Sequence, residues 1–199
     1  VKKRTFLILS SLIILLIVYL FPTKKEDKTY IQNENTDFSI VYLIDQNNLL
    51  SRVSVVTKNT NIDNQIKEIT EYLTESSNKK DYLSDGFKPV IPKGTKLLYF
   101  KIDDDLLTLN FSKKLLTINE EDEKKLISSL VYTYTSIDGI NKITIYVEGN
   151  LLDRLPNSNE KIPQIIDKSY GINQIYNITD IIGTTKTTIY YLSKYKDYY

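Results

Sequence analysis

The chain has 199 residues with 26 Lys and Arg against 25 Asp and Glu, a formal net charge of +1. That length holds one good domain with flanking pieces, and the charge gives no bulk electrostatic case for nucleic acid as a partner. His, Cys, Met and Trp are absent, which excludes Ser-His and Cys-His nucleophiles, thiolate chemistry, disulfides and ordinary zinc sites, leaving carboxylates, Lys, Tyr and hydroxyls for any catalysis.

Lys2-Lys3-Arg4 precedes an uncharged, apolar run from Thr5 to Phe21, and Lys24-Lys25 follows it. At about 17 residues the run is at the short end for a bilayer span. Its exit, Tyr19-Leu20-Phe21-Pro22-Thr23, offers no small residues for signal-peptide cleavage, so it reads as an uncleaved anchor. The cationic residues before it place the N-terminus in the cytoplasm and the rest of the chain outside. Without a Cys there is no lipid attachment to replace it. Residues 23–37 are polar and charged and read as a juxtamembrane linker.

Phe38 to Ile44 is a run of β-formers, Asp45-Gln46-Asn47-Asn48 supplies turn residues, and Leu49 to Thr57 alternates, which predicts a hairpin. Ile62, Ile66, Ile69 and Leu73 then share one helical face, with Asn61 or Asp63 as the cap. Ser76 to Asp85 is a polar loop. Pro92-Lys93-Gly94 makes a turn into Lys96 to Ile102, which Asp103-Asp104-Asp105 separates from Leu106 to Phe111. These predict a second hairpin.

Thr117 with Glu120 fits a capping box, with Asn119 as a rival cap, and Glu120 to Glu123 lie where a helix dipole favours negative charge. Leu126, Ile127, Leu130, Val131 and Tyr134 form the apolar stripe of that helix. Gly139 ends it, and Ile143 to Val147 is a further strand. The stretch to Gln164 is polar, and Ile165 to Asn177 carries no clear pattern. Thr185 to Leu192 reads as another strand, and Thr188-Ile189-Tyr190-Tyr191-Leu192-Ser193 is similar to Ser39-Ile40-Val41-Tyr42-Leu43-Ile44, as tandem domains would give. Because the chain begins with Val and ends in a strand-like run, a fragment or an alternative start with an early end is expected. The fold class is α+β: a mixed or antiparallel sheet in the order ββαββαβ with two helices on one face, preceded by a transmembrane helix.

No candidate catalytic, cofactor or metal residue survives comparison with its structural explanation. Three adjacent aspartates, Asp103 to Asp105, point in different directions and fit a turn better than a Ca²⁺ or Mg²⁺ site. Glu120, Glu121, Asp122 and Glu123 offer two acids for glycoside hydrolysis, but helix-start acids are explained by the dipole. On that account, replacing Glu120, Glu121 and Glu123 with Gln should leave the function nearly intact. Gly94 is a lone glycine and matches no phosphate-cradling loop. Tyr42, Tyr99, Tyr132, Tyr134 and Tyr146 fit half-buried packing positions, since no basic groove accompanies them.

Val41-Tyr42-Leu43, Ile91-Pro92-Lys93-Gly94-Thr95-Lys96-Leu97-Leu98, Leu109-Asn110-Phe111-Ser112, Val131-Tyr132-Thr133-Tyr134-Thr135 and Gly139-Ile140, followed by Ile145-Tyr146-Val147-Glu148-Gly149, resemble the GerMN (germane) domain of sporulation and germination proteins. With the anchor at 1–22 and the linker at 23–37 read from the residues, the resemblance implies a GerMN-like domain at 38–156, followed by a linker at 157–184 and the truncated start of a second copy at 185–199. It also implies a small module similar to the ring-building motifs of secretion systems. The implied protein is a non-enzymatic, cofactor-free envelope protein of the cell membrane. Its implied partners are envelope proteins of the channel complex between mother cell and forespore, with self-association through the domain. Two departures stand out: the chain has no lipobox Cys, and Glu75-Ser76-Ser77 replaces a Gly-Pro pair common after the first helix. Besides a membrane-anchored scaffold, the sequence leaves open a module that binds peptidoglycan or another wall ligand, and a carboxylate-dependent wall hydrolase.

Overall fold

The computed structural model describes residues 37–58, 61–75, 83 and 86–174. The expected anchor at 1–22, almost all of the linker that follows it, and the expected second domain start at 185–199 lie outside these residues. Among the described residues no helix is long and apolar enough to cross a membrane.

Strands β1 (Asp37–Ile44) and β2 (Leu50–Thr57) pair antiparallel, with Val41 opposite Val53 and Ile44 opposite Leu50. Their turn is held by Asp45, a buried carboxylate that accepts from the Asn47 and Leu49 amides at 2.8 and 3.1 Å and from the Ser51 hydroxyl at 2.9 Å. Val41 and Leu43 face the core while Arg52 and Ser54 stay at solvent, as alternation requires.

Helix α1 (Ile62–Leu73) buries Ile66, Ile69 and Leu73, and Asn61 caps it by accepting from the Asn64 amide at 2.9 Å. Replacing Asn61 with Ala leaves that amide without its partner and is expected to cost about 1 kcal/mol, read as a lower denaturant midpoint at unchanged slope. The helix stops at Thr74, which turns to extended backbone and makes a parallel bridge to Ile91.

Gly94, at φ +83°, closes the Pro92 to Thr95 turn, a conformation that suits a residue without Cβ. Strands β3 (Leu97–Asp103) and β4 (Leu106–Phe111) then pair antiparallel, with a register shift between Leu97 and Tyr99. Two single turns of 3-10 helix (Lys113–Thr117 and Glu120–Asp122) lead into helix α2 (Glu123–Tyr134). The helix is the crossover that a parallel pair needs, since β5 (Lys142–Val147) runs parallel to β4 with Leu109 beside Ile145. Two-residue β6 (Asn150–Leu151) completes the sheet order β3-β4-β5-β6.

The predicted class is observed, with two corrections to its layout. First, β1 and β2 form their own two-stranded sheet and do not join the other four strands. The outer edge of β1 is taken by helix α2: the Ser129 hydroxyl donates to the Tyr42 carbonyl at 2.6 Å, and Thr133 accepts from the Tyr42 amide at 2.9 Å. Lys88 pairs with Ile44 further along the same edge. Helix α2 is consequently buried on most sides, including Ser128, Ser129 and Thr133. Second, the Thr117 and Glu120 capping box is absent. The Thr117 hydroxyl donates to the Lys114 carbonyl at 2.8 Å instead, and α2 begins only at Glu123.

The core joins Leu107, Leu109 and Phe111 of β4, Ile143, Ile145 and Val147 of β5, the inner face of the first hairpin and both helices. Tyr134 and Thr70 tie the helices together through hydroxyls 2.6 Å apart, and burial pushes the Tyr134 phenol well above its usual range. Residues 157–174, expected as linker, pack on the domain: Ile162 and Ile166 are buried, Ile166 bridges to Ile143, and the Asn173 side chain pairs with both main-chain groups of Leu50.

Candidate functional site

The three aspartates of the second hairpin form a turn. Asp104 takes the positive φ of +55° that hairpin turns of this kind require. Asp103 pairs with Lys101 at 3.4 Å, and Asp105 with Lys142 at 3.0 Å, which holds the Asp105 carboxyl below the usual carboxylate range. Asp103 and Asp105 are directed to different partners, and among the described residues no group of acids is gathered that could hold a metal ion.

The acids before α2 part company. Glu120 and Glu121 are exposed, whereas Asp122 and Glu123 are buried. Asp122 meets Lys125 at 2.8 Å and Lys88 at 3.6 Å. Glu123 is the deepest carboxylate, at 1% exposure. It accepts from the Asn157 amide, from Asn157 Nδ2 at 2.8 Å, from the Ser158 amide at 3.1 Å and from the Ser158 hydroxyl at 2.8 Å. Desolvation pushes its carboxyl pKa up, but these donors together bring it below the ordinary value of 4.5. A carboxylate whose oxygens are filled by its own chain fastens a loop and has no lone pair aimed at a substrate. Glu123 stands in the first turn of α2, where the helix dipole favours a carboxylate, and this loop clasp adds a second role that its position in the sequence does not announce.

The tyrosines divide likewise. Tyr42 and Tyr132 meet edge to face with centroids 5.4 Å apart, Tyr134 is fully buried, and Tyr99 is 54% exposed. Gly94 has no atom within 4 Å of where a Cβ would sit, so it serves backbone conformation and not close approach to a ligand.

What the sequence did not point to is a groove of about 660 Å³ between α1 and β3, walled by Lys67, Thr70, Glu71 and Thr74 on the helix and by 95–100 on the other side. Its strand wall is a free edge. In the two-residue hairpin, Asp103 faces Leu106, Lys101 faces Thr108 and Tyr99 faces Asn110. Those residues exchange main-chain bonds with β4, so the alternate residues Phe100 and Ile102 turn their N–H and C=O groups outward. Among the described residues no main-chain group pairs with them. Leu98 and Tyr99 present apolar surface there, at 48% and 54% exposure. Thr95 at the groove is 9% exposed, and its buried hydroxyl has no hydrogen-bond partner among the described residues.

The fold and this edge define a small α+β module: a mixed sheet and a separate hairpin around two helices, with one sheet margin unpaired beside a helix wall. The chain belongs to the Germane family, described as "Sporulation and spore germination", whose model matches residues 40–153. It is 27% identical over 167 residues to the spore germination protein GerM of Bacillus subtilis (strain 168), an alignment covering 83% of this chain and 45% of that protein. The chain thus spans about half the length of the curated relative it matches. Among solved structures, the tandem GerMN domains of Bacillus subtilis GerM superpose with a TM-score of 0.75 at 25% identity, covering 82% of this chain and 57% of that one. The first GerMN domain of the same protein gives 0.62 at 24% identity, covering 67% and 99%, a likeness of fold.

Proposed function

We propose that this protein is a membrane-anchored, extracytoplasmic, non-enzymatic scaffold that acts in sporulation and germination by binding other envelope proteins. The observation that carries the reading is the free β3 edge beside α1 in a chain of the Germane family. An unpaired strand edge is a template for association, and the buried acids of this domain are occupied by loop and ion-pair contacts. The run from Thr5 to Phe21 supplies the anchor and single-pass topology, with the N-terminus cytoplasmic. A tether of about 15 residues keeps the domain within tens of ångströms of the outer membrane face and raises its effective concentration for envelope partners. Those partners are the components of the channel between mother cell and forespore, with self-association as a further mode.

A second reading is a cell-wall (peptidoglycan) binding module. It is favoured by a hollow of about 290 Å³ whose walls set Asn48, Ser128, Asn173 and Gln174 among apolar groups such as Leu49 and Tyr170. Three of its four charged walls are spent internally, Lys124 with Glu160 at 2.7 Å and Lys125 on Asn48 and Asp122 at 2.8 Å, which leaves Glu121, so the scaffold reading stands first.

Deleting the gene in the source organism and following a fluorescent fusion through spore formation tests the proposal. Arrest around engulfment with the fusion at the forespore boundary is the expected result. Normal spores with a fusion spread over the whole envelope would leave wall binding as the better account.

A further inference from the structure

We propose that the groove between α1 and the free edge of β3 takes an extended, acidic polypeptide segment of a partner protein, which adds to the four-stranded sheet as a further strand. This deepens the scaffold reading by naming the site and the chemistry of what it binds.

Among the described residues the fold covers the outer edge of β1 and the far edge of β5, and it leaves open the middle of β2 and, beside a helix wall, the edge of β3. The outer edge of β1 is taken by Ser129, Thr133 and Lys88. On β2, Asn173 takes both main-chain groups of Leu50 and Tyr72 donates to the Val56 carbonyl, leaving only Arg52 and Ser54 between them. The far edge of β5 is taken by β6 at one end and by Ile166 at the other. Along β3, Phe100 and Ile102 offer two N–H and two C=O groups in the spacing an added strand uses, and a helix wall runs alongside. An edge next to a helix is the arrangement by which folded domains take up peptide strands, with main-chain bonds giving affinity and alternate side chains giving selectivity. The orphan hydroxyl of Thr95 marks the same groove as built for a polar partner, because a buried hydroxyl without one is costly.

Charge selects the occupant. Lys67 and Lys96 line the groove without an ion pair among the described residues, against Glu71 as the one acid among its described walls, while Lys101 on the strand is already paired with Asp103. A segment with acidic side chains complements this set, and a second copy of β3 does not. The exposed Lys101 and the bulge at Leu98 are devices by which edges resist pairing with copies of themselves.

The test uses the full chain in detergent micelles and a fluorescein-labelled octapeptide alternating valine with glutamate, titrated by anisotropy. Saturable binding is expected. N-methylation of alternate peptide amides in one register should weaken it at least tenfold, while methylation in the other register leaves it unchanged. The double variant Lys67→Glu/Lys96→Glu should lose about tenfold and prefer a valine-lysine octapeptide instead. Both lysines are exposed, so circular dichroism should match the parent chain. No saturation at millimolar peptide, or equal losses in both N-methyl registers, would overturn the proposal. So would a dimer in sedimentation velocity that the peptide cannot compete with, since the occupant would then be a second copy. None of these readouts depends on sporulation, so the peptide site can fail while the role stands, or the reverse.

Discussion

Replacing Glu123 with Ala is expected to lower the unfolding free energy by about 3 kcal/mol and the melting temperature by about 10 °C. The carboxylate sits at 1% exposure and fills the main-chain amides of Asn157 and Ser158 together with both their side chains. Removing it strands those donors and opens space against Leu126 and Leu155. Glu123→Gln keeps the volume but turns an amide group toward donors, so about 2 kcal/mol is expected there. The effect is pH-dependent with a definite sign. The folded carboxyl titrates below its ordinary value of 4.5, so its stabilisation is fully present above that value and fades as pH falls through the folded one. The gap between parent and Glu123→Gln in chemical denaturation should therefore be flat from pH 5 to 8 and shrink in more acidic solution. Glu120→Gln with Glu121→Gln should stay within about 0.5 kcal/mol of the parent, since both are exposed. In stability, then, the three Gln replacements should separate, with Glu123→Gln alone showing a large loss.

The second large effect is expected where α2 takes the place of a strand. In the double variant Ser129→Ala/Thr133→Val, the Tyr42 amide and carbonyl both lose their partners. Buried unpaired main-chain groups cost about 1 to 3 kcal/mol each, so a loss of about 3 kcal/mol is anticipated in equilibrium unfolding. Both substitutions conserve volume closely, which separates this loss from a cavity effect. Amide exchange at Tyr42 should accelerate along with it, while amides in β4, bonded to strands on both sides, should keep their protection relative to global unfolding.

Much of the fold was legible because its signals are local. The offsets of Ile62, Ile66, Ile69 and Leu73 gave α1 its bounds, and alternation in 38–57 and 96–111 gave both hairpins. Two-residue β6 is too short to carry a period. Ile162 and Ile166 are lone apolar residues in a polar stretch, and their burial is decided by a bridge to Ile143 that no local pattern announces. Ser129 and Thr133 were visible as helix residues, but their partner Tyr42 lies about 90 residues away in sequence, so the split into two sheets was not. Glu123 was legible only in part for the same reason: its position at the helix start shows the dipole, whereas its donors come from a distant loop. The groove has no motif because it is made where 67–74 and 95–100 meet, and an unpaired edge becomes visible only once every other strand has found its neighbour.

The most direct measurement is spore yield from a deletion strain complemented with a groove variant, Lys67→Glu/Lys96→Glu/Leu98→Glu, at three exposed positions. If the protein works by holding a partner along β3, the variant should accumulate and localise as the parent chain does, yet leave spore formation as defective as the deletion. Full restoration of spore yield by that variant would contradict the account.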